Sequence, residues 1–417
     1  MELRPALRDK IERLSEKGVS FPNPLTIDIG DEVDVERISG HGVVIHPGCR
    51  IYGAQTVISA GAIIGREGPA TIENCQIGPG VELKGGYFAK SVFLQHANLG
   101  LGAQVREACI LEEEAGGAHC VGLKQTILFP FVTLGSLINF CDCLMAGGTS
   151  RKNHSEVGSS YIHFNYTPEG DKTTASLLGD VPRGVMLNQP PIFLGGQGGM
   201  VGPVRLGFGN VVAAGSVLRR DCPQDGRLIT TKPLAEKTAT ITPRAYPRLA
   251  RIVRNNFAYL ANLAALGQWY SQVRRPFFQE QEFGDLIYRG ALEKLAMATQ
   301  ERCKRIEDMA GKLAADPDGG APDGGAEEPV RRELCENAGR LRERLDDSQA
   351  QQMGQEQRDR FLAGMQQCRE QGVGYIETIR HLPEDVVRDG THWLDQVVAG
   401  VTGHLASLVP SLGPASN

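Results

Sequence analysis

The chain has 417 residues, of which 41% are hydrophobic and 22% charged, and its formal net charge is −5. A chain of this length is expected to form two or three folding units, and its near-neutral charge excludes a strongly basic nucleic-acid-binding protein. The first ten residues are rich in charge and no apolar run reaches about 18 residues, so neither a signal peptide nor a membrane span is predicted.

The ten cysteines are scattered along the chain and none of them forms a Cys-x-x-Cys pair. Cys141 and Cys143 lie close together, but no second pair follows at the spacing of a zinc site. Reduced and buried thiols in a cytoplasmic protein are therefore predicted.

The first predicted element is an amphipathic helix over residues 5–18. Leu7, Ile11 and Leu14 share one face of it, and Gly18 ends it. Residues 1–40 are interpreted as this helix and a lead-in to the next unit.

From residue 41 to residue 222 the chain repeats with a period of six. The clearest run is Leu206, Val212 and Leu218, with small residues around each. A helix needs apolar residues every three or four positions and a half-buried strand needs them at every second, so a period of six fits neither. It is typical of a parallel coil of short strands whose aliphatic residues point inward, with small residues at the corners where neighbouring turns approach. The other positions of the repeat are residues 45, 51, 57, 63, 77, 83, 99, 105, 111, 121 and 127.

Interruptions of the repeat predict loops that leave the coil. They fall at about 114–119, 147–155, 167–175 and 188–202, and the last of them is rich in glycine. Loops on a rigid coil often carry function. The glycines around Gln197 could bind a phosphate through backbone N–H groups, and a plain surface loop is the alternative.

After residue 222 the pattern becomes helical. Leu249, Val253 and Phe257 begin a helical spacing, and further helices are predicted over 283–313, 330–347, 353–380 and 384–407. Residues 315–329 have the composition of a flexible loop. Residues 223–417 are therefore predicted to be an α-helical C-terminal region.

The 203–221 stretch, with Asn165-Tyr166 and Leu178-Gly-Asp180 upstream, resembles the acetyltransferase half of the bacterial bifunctional UDP-N-acetylglucosamine pyrophosphorylase / glucosamine-1-phosphate acetyltransferase family. The resemblance implies a left-handed parallel β-helix of hexapeptide repeats that assembles as a homotrimer. It also implies clefts between coils for acetyl-CoA and a sugar phosphate or nucleotide sugar.

Two features depart from that family. The chain contains no Gly-rich nucleotide loop of the pyrophosphorylase half, so uridylyl transfer is not predicted. The family's catalytic histidine falls near Asn139-Phe140, and neither residue can take a proton from an amine at neutral pH.

The resemblance supplies the candidate site residues. Asn165 and Tyr166 match an active-site pair, whereas Lys124 and Lys172 match substrate-binding lysines. Asn139, at the place of the missing histidine, is added to the substrate-binding set. Ala213, Ala214 and Gly184 are predicted to contact the cofactor. For each of these residues the alternative to a functional role is a structural one, such as a place at a coil corner or a solvated surface charge.

His154 is the predicted replacement base, because a neutral imidazole accepts a proton near pH 7 and Glu156 lies nearby. A surface histidine without a function is the alternative for His154, and a packed core histidine is the alternative for His163. His41 and His46 resemble part of the zinc signature of γ-class carbonic anhydrases, but their order differs. No metal is expected.

Two functions follow as hypotheses. The first is a protein that binds a sugar phosphate or a nucleotide sugar such as UDP-N-acetylglucosamine, as a CoA-dependent N-acyltransferase of the hexapeptide-repeat type. The second is a catalytically inactive binding or scaffold protein that keeps the fold. No nucleic-acid or membrane partner is predicted.

Overall fold

The structure, a computed structural model, describes residues 4–165, 170–238, 246, 248–315, 327–346, 353–369 and 374–413. It is a parallel β-solenoid of about 11 turns followed by a helical region. The predicted fold class, a β-solenoid followed by α-helices, is confirmed. The domain boundaries at 40 and 222 stay predictions.

Each turn of the solenoid visits three faces in the order 3, 1, 2. Face 1 consists of the strands Asp28–Ile29, Arg50–Tyr52, Ala70–Glu73, Gly86–Ala89, Ala103–Val105, the first parts of Gly122–Leu128 and Asn139–Met145, then Ile162–Phe164, Gly199–Val201 and Val217–Leu218. Face 2 consists of Val57–Ile58, Gln76–Ile77, Val92–Phe93, Ile110–Leu111, the second parts of the same two long strands, Ser176–Leu178 and Arg205–Leu206. Face 3 consists of Val44–Ile45, Ile63–Ile64, Glu82–Leu83, Asn98–Leu99, Gly116–Gly117, Thr133–Leu134, Glu156–Val157, Phe193–Leu194, Val211–Val212 and Leu228–Ile229.

Three edges join these faces. Edge A lies between faces 1 and 2, edge B between faces 2 and 3, and edge C between faces 3 and 1. The two seven-residue strands run through edge A, which is why faces 1 and 2 form one sheet. At edge A several residues adopt the left-handed conformation, among them Gln125 (φ 52°) and Asp142 (φ 58°). A left-handed residue lets the chain turn a tight corner between two short strands.

Small residues at edge C have a steric reason. A Cβ added to Gly195 would lie 2.3 Å from the backbone nitrogen of Ala214 on the next turn. Successive turns therefore touch backbone to backbone at this edge, as the glycine-rich pattern predicts.

The period of six correctly identifies most of the core. Leu206, Val212 and Leu218 are all buried, as predicted. Ile63 is an exception, because it is only half-buried and Ile64 takes the interior position. The spacing of the inward residues widens from six to seven between Ile51 and Ile58, which moves the phase of the repeat by one residue.

One predicted loop is wrong and another is right only in its first part. Residues 114–119 contain the strand Gly116–Gly117 and stay in the coil. Residues 188–192 belong to the segment that leaves the coil between Ser176–Leu178 and Phe193–Leu194, whereas the rest of 188–202 stays in it with Phe193–Leu194 and Gly199–Val201. Residues 147–155 do leave it, as an antiparallel hairpin of Gly148–Ser150 and Asn153–His154 at edge B. Residues 170–175 form an irregular excursion at edge A, while residues 166–169 lie outside the described part of the chain.

The helices are α1 Pro5–Lys17, α2 Val181–Gly184, α3 Leu249–Trp269, α4 Arg275–Gln279, α5 Gly284–Ala314, α6 Glu328–Asn337, α7 Leu341–Leu345, α8 Gln355–Arg369, α9 Tyr375–Arg380 and α10 Glu384–Ala406. A π-helical segment, Tyr270–Arg274, joins α3 to α4, and 3-10 turns span Pro24–Thr26, Val35–Arg37, Ala338–Arg340 and Pro410–Leu412. The predicted helix 5–18 is confirmed, with Leu7, Ile11 and Leu14 buried and Gly18 left-handed after its end. Most of the predicted loop 315–329 lies outside the described residues, and α6 already begins at Glu328.

The helical region covers face 2. Helix α5 contacts the strands Gln76–Ile77 and Val92–Phe93, and α3 contacts Ser176–Leu178. The buried side chains of the solenoid and of these helices form one continuous hydrophobic core. Among the described residues, α3 and α5 make no such contact with the strands of face 1. None of the described helices is long and apolar enough to cross a membrane.

Candidate functional site on face 1

An open groove lies on the outside of face 1. Its volume is about 560 Å³, and it is lined by Gly102, Gln104, Arg106, Cys120, Val121, Gly122, Leu123, Ile138, Asn139 and Cys141. The parallel register pairs Gln104 with Gly122 and Gly122 with Asn139, so these three positions stack on successive turns. Because Gly122 has no side chain, the exposed Gln104 and Asn139 flank an open space.

A row of cationic side chains borders this space. Arg106, one residue beyond the strand Ala103–Val105, stands in register with Lys124 on the next turn. The ammonium Nζ of Lys124 lies 2.8 Å from Glu107 Oε1. Burial alone would raise the pKa of the Glu107 carboxyl, but its hydrogen bond and charge pairing with Lys124 lower it below its usual range. The Glu107 carboxyl is therefore ionised at neutral pH.

The groove lining contains no acid–base group suited to neutral pH. Among the described residues that line it there is no histidine, aspartate or glutamate. Burial raises the pKa of the Cys141 thiol to about 11, so this sulfur stays protonated. The groove can bind an anion and hydroxyl groups, but it has no side chain of its own to accept a proton from an amine.

Two further predicted residues lie at edge A, beside the groove. The side-chain amide of Asn165 donates a hydrogen bond to Asp142 Oδ2 over 3.4 Å, and Asn165 is half-buried. Lys172 belongs to the excursion 170–175, and its carbonyl oxygen accepts a 2.7 Å hydrogen bond from Arg302 Nη1 of α5. Tyr166, the partner of Asn165 in the sequence motif, lies outside the described residues.

The structure does not bring His154 to Asn165 within one chain. His154 lies at edge B, at the end of the hairpin strand Asn153–His154, with face 2 between it and edge A. It is half-buried, and its Nδ1 lies 3.3 Å from the carbonyl oxygen of Ser155. Its role as a base stays a prediction.

His163 is part of the core, as the structural alternative for it predicts. It is 1% exposed, its Nε2 lies 2.9 Å from Ser176 Oγ, and its Nδ1 lies 2.5 Å from the carbonyl oxygen of Cys141. Burial lowers the pKa of His163, so the ring is neutral and fixed inside the solenoid.

The three residues predicted to bind the cofactor are separated. Ala213 and Ala214 lie at edge C, next to face 1, where Ala214 is exposed. Gly184 ends α2 on the edge B side and is buried, since a Cβ there would lie 2.7 Å from the Cβ of Ala146. No group of three or more His, Cys, Asp or Glu side chains in the described ranges is placed to hold a metal ion.

Sequence reasoning missed Arg106. The residue lies 18 positions before Lys124, which is one full turn of three six-residue faces. The period that identifies the core could therefore also have identified this outward neighbour.

The chain is similar to proteins called bifunctional protein GlmU. The relative from Thermotoga sp. (strain RQ2) is 29% identical over 215 residues, which is 51% of this chain and 42% of the relative. The relative from Pelobacter propionicus is 29% identical over 230 residues (54% and 44%), and that from Synechococcus elongatus (PCC 7942) is 27% identical over 232 residues (55% and 46%). The chain thus spans less than half the length of these curated relatives, and no protein-family model matches it.

Proposed function

We propose that this chain binds a sugar phosphate or a nucleotide sugar in the face 1 groove. The observation that carries the proposal is that Arg106 and Asn139 line the groove around the open position at Gly122, and that Lys124 stands in register beside Arg106. A guanidinium beside an ammonium suits a phosphate, and side-chain amides suit the hydroxyl groups of a sugar. The similarity to GlmU supports a ligand of this class.

Binding of a phosphate would change the pairing of Lys124. In the free protein its charge is shared with Glu107, 2.8 Å away. A phosphate between Arg106 and Lys124 would take over part of this interaction. The affinity should therefore fall with rising salt concentration, because a large share of the attraction is between charges near solvent.

Binding is tested by calorimetry with UDP-N-acetylglucosamine and glucosamine 1-phosphate. We expect Lys124→Met and Arg106→Met each to weaken binding about tenfold or more, which corresponds to the loss of one charge-assisted hydrogen bond. Lys84→Met is the matched control, because Lys84 pairs with Glu67 at 3.1 Å in the same way but follows the face 3 strand Glu82–Leu83, whereas Lys124 stands in register beside the groove residue Arg106. Equal effects of Lys84→Met and Lys124→Met would contradict the proposal.

A second candidate function is N-acyl transfer from CoA to a bound amino-sugar phosphate. The similarity to GlmU favours it, as does the exposed small residue Ala214 at edge C beside face 1. In this reaction the amine nitrogen attacks the thioester carbonyl, a C–N bond forms, the C–S bond breaks, and a base removes the amine proton that the CoA thiolate finally takes up. His154 is the proposed base, and because it lies at edge B it would have to come from a neighbouring copy of the chain to act beside Asn165. Tyr166 and Lys172 are proposed to contact the substrate.

Turnover separates this candidate from an inactive binding protein. Acetyl-CoA and a panel of amino-sugar phosphates are incubated with the protein and with His154→Ala, and free thiol is measured. The acyltransferase candidate predicts turnover that His154→Ala abolishes and that His46→Ala, another half-buried histidine of the solenoid, leaves intact. Binding without turnover would support the inactive binding protein.

Self-association, with a homotrimer as the expected form, is part of the proposal. Phe193, Val211 and Leu228 are stacked in register on face 3 and are 41%, 41% and 74% exposed. Phe164 and Val201 are paired on face 1 and are 45% and 38% exposed. Exposed apolar rows on the two adjacent faces 3 and 1 suit contact with other copies of the chain. A cytoplasmic location is also proposed, and the ten free cysteines support it.

A further inference from the structure

We propose that the helical region contributes to the binding site. Arg302 of α5 fixes the positions of Asp142, Asn165 and Lys172 at edge A, beside the face 1 groove. The inference rests on the proposed function and extends it, since it gives the C-terminal helices a role in ligand binding. Arg302 is a positioning residue in this account and does not touch the ligand.

The guanidinium of Arg302 reaches two parts of edge A at once. Its Nη2 lies 2.6 Å from Asp142 Oδ1, and its Nη1 donates a 2.7 Å hydrogen bond to the carbonyl oxygen of Lys172. Arg302 and Asp142 side chains are only 2% and 8% exposed. One rigid planar group therefore fixes both the left-handed corner at Asp142 and the excursion that carries Lys172.

Asp142 links Arg302 to Asn165 through hydrogen bonds to both of its carboxylate oxygens. Its Oδ1 accepts from Arg302, while its Oδ2 accepts from the side-chain amide of Asn165 over 3.4 Å. Without the guanidinium, the carboxylate would be a buried charge left with the long hydrogen bond from the Asn165 amide. It would have to move toward water or take up a proton, and Asn165 would lose its fixed partner.

A second side chain of the helical region supports the same excursion. The amide of Asn256 on α3 donates a 3.0 Å hydrogen bond to the carbonyl oxygen of Thr173, and its Oδ1 lies 3.3 Å from Arg302 Nη1. Thr173 also packs its hydroxyl 3.6 Å from Met309 Sδ of α5. The excursion 170–175 is thus held by polar contacts from both α3 and α5.

Arg274 provides the matched control, because it docks the helical region at the opposite side of face 2. It forms a buried pair with Glu112 (3.1 Å) and with Glu113 at edge B, and it contacts none of the proposed site residues that the structure describes. A general loosening of the helical region should follow from damage to either arginine. A loss of edge A alone should follow only from damage to Arg302.

The experiment compares Arg302→Met/Asp142→Asn with Arg274→Met/Glu113→Gln. Each double variant removes one positive and one negative buried charge, so the net buried charge does not change. The control still leaves Glu112 without its cation, so it is at least as severe a test of general loosening. The measurements are thermal unfolding, amide hydrogen exchange of residues 170–178, and the Kd for UDP-N-acetylglucosamine. We expect the Arg302 variant to exchange faster at 170–178 and to bind about tenfold more weakly or worse, and the Arg274 variant to match the wild type in both, whatever its unfolding temperature.

Unchanged exchange at 170–178 together with wild-type affinity in the Arg302 variant would overturn the inference. Equal changes in both variants would also overturn it, because the effect would then be general loosening. If the wild type binds no sugar ligand, the proposed function fails, and the exchange data alone decide whether Arg302 holds edge A. Arg302→Lys serves if the double variant does not fold: lysine keeps the charge but cannot hold Asp142 and the Lys172 carbonyl in one planar fork, so faster exchange at 170–178 is again expected.

Discussion

Arg302 on α5 and Asp142 at the corner between faces 1 and 2 form a buried ion pair across 160 residues of sequence, with Nη2 and Oδ1 2.6 Å apart. Arg274 forms the corresponding contact at the other edge of face 2, where Glu112 and Glu113 receive it. The rings of Tyr270 and Tyr375 lie 4.9 and 4.0 Å from its guanidinium carbon. Two buried arginines therefore attach the helical region to the solenoid, one at each edge of face 2.

The first prediction concerns the contribution of the Arg274 ion pairs to the free energy of unfolding. Arg274→Met should lower the free energy of unfolding by about 3–5 kcal/mol, because it leaves Glu112 and Glu113 buried without their cation. Urea unfolding at pH 8, followed by circular dichroism, measures the loss. Arg13→Met is the control: its pair with Glu36 is 3.0 Å long but 50% and 64% exposed, so a loss of about 1 kcal/mol or less is expected. Similar losses in both variants would contradict the importance of burial.

The second prediction concerns pH. Burial raises the pKa of the Glu112 carboxyl to about 7, which the charge of Arg274 offsets only in part. Between the unfolded value of about 4.3 and this folded value, the folded chain binds a proton that the unfolded chain has released. This group therefore makes the protein less stable as pH rises through that window, with the full cost present above pH 7.

Glu112→Gln should remove this dependence. Glutamine keeps an oxygen that can accept the 2.6 Å hydrogen bond from the Tyr270 hydroxyl, and it never ionises. The variant should gain stability relative to the wild type at pH 8 and show little difference at pH 4.5. Urea midpoints at the two pH values give the comparison, and a variant that loses more stability at pH 8 than at pH 4.5 would show that the ionised Glu112 stabilises the fold.

The third prediction concerns close contact between turns. Gly195→Ala places a Cβ 2.3 Å from the Ala214 backbone nitrogen, so we expect a loss of about 1–3 kcal/mol from overpacking. Gly267→Ala on α3 is the opposite case, since among the described residues no atom outside its own helix lies within 4 Å of the new Cβ. A gain of about 0.5–1 kcal/mol is expected there. Chemical denaturation of both variants tests whether the free energy of unfolding falls in Gly195→Ala and rises in Gly267→Ala.

The fourth prediction concerns assembly. Phe193→Glu and Phe164→Glu should each shift the protein toward smaller species in light scattering, because each puts a charge into an exposed apolar row. Leu25→Glu should not, since Leu25 is 67% exposed but lies in the 3-10 turn Pro24–Thr26, before the first solenoid strand. An unchanged mass in all three variants would show that these apolar rows are not contact surfaces between copies of the chain.

The repeat itself could be predicted from the sequence because one residue in six is aliphatic and points inward. Leu206, Val212 and Leu218 show this at 2%, 0% and 3% exposure. The start of the solenoid could not be recognised in the same way. Its first strand, Asp28–Ile29, follows two prolines and is separated from the regular repeat by a 3-10 turn at Val35–Arg37.

The candidate site was predictable only in part. Lys124 and Asn139 follow from the family resemblance, and Arg106 could have followed from the 18-residue turn. The contacts of Arg302 and Arg274 could not, since an ion pair between residues about 160 positions apart leaves no periodic signal in the sequence. Only the docking of the helices on face 2 brings these charges together.

The most direct test of the account is a crystal structure of the protein with UDP-N-acetylglucosamine. The account predicts ligand density in the groove on face 1, with a phosphate between Arg106 and Lys124 and the sugar near Asn139. Density elsewhere, or an empty groove at a ligand concentration that saturates binding in solution, would contradict it.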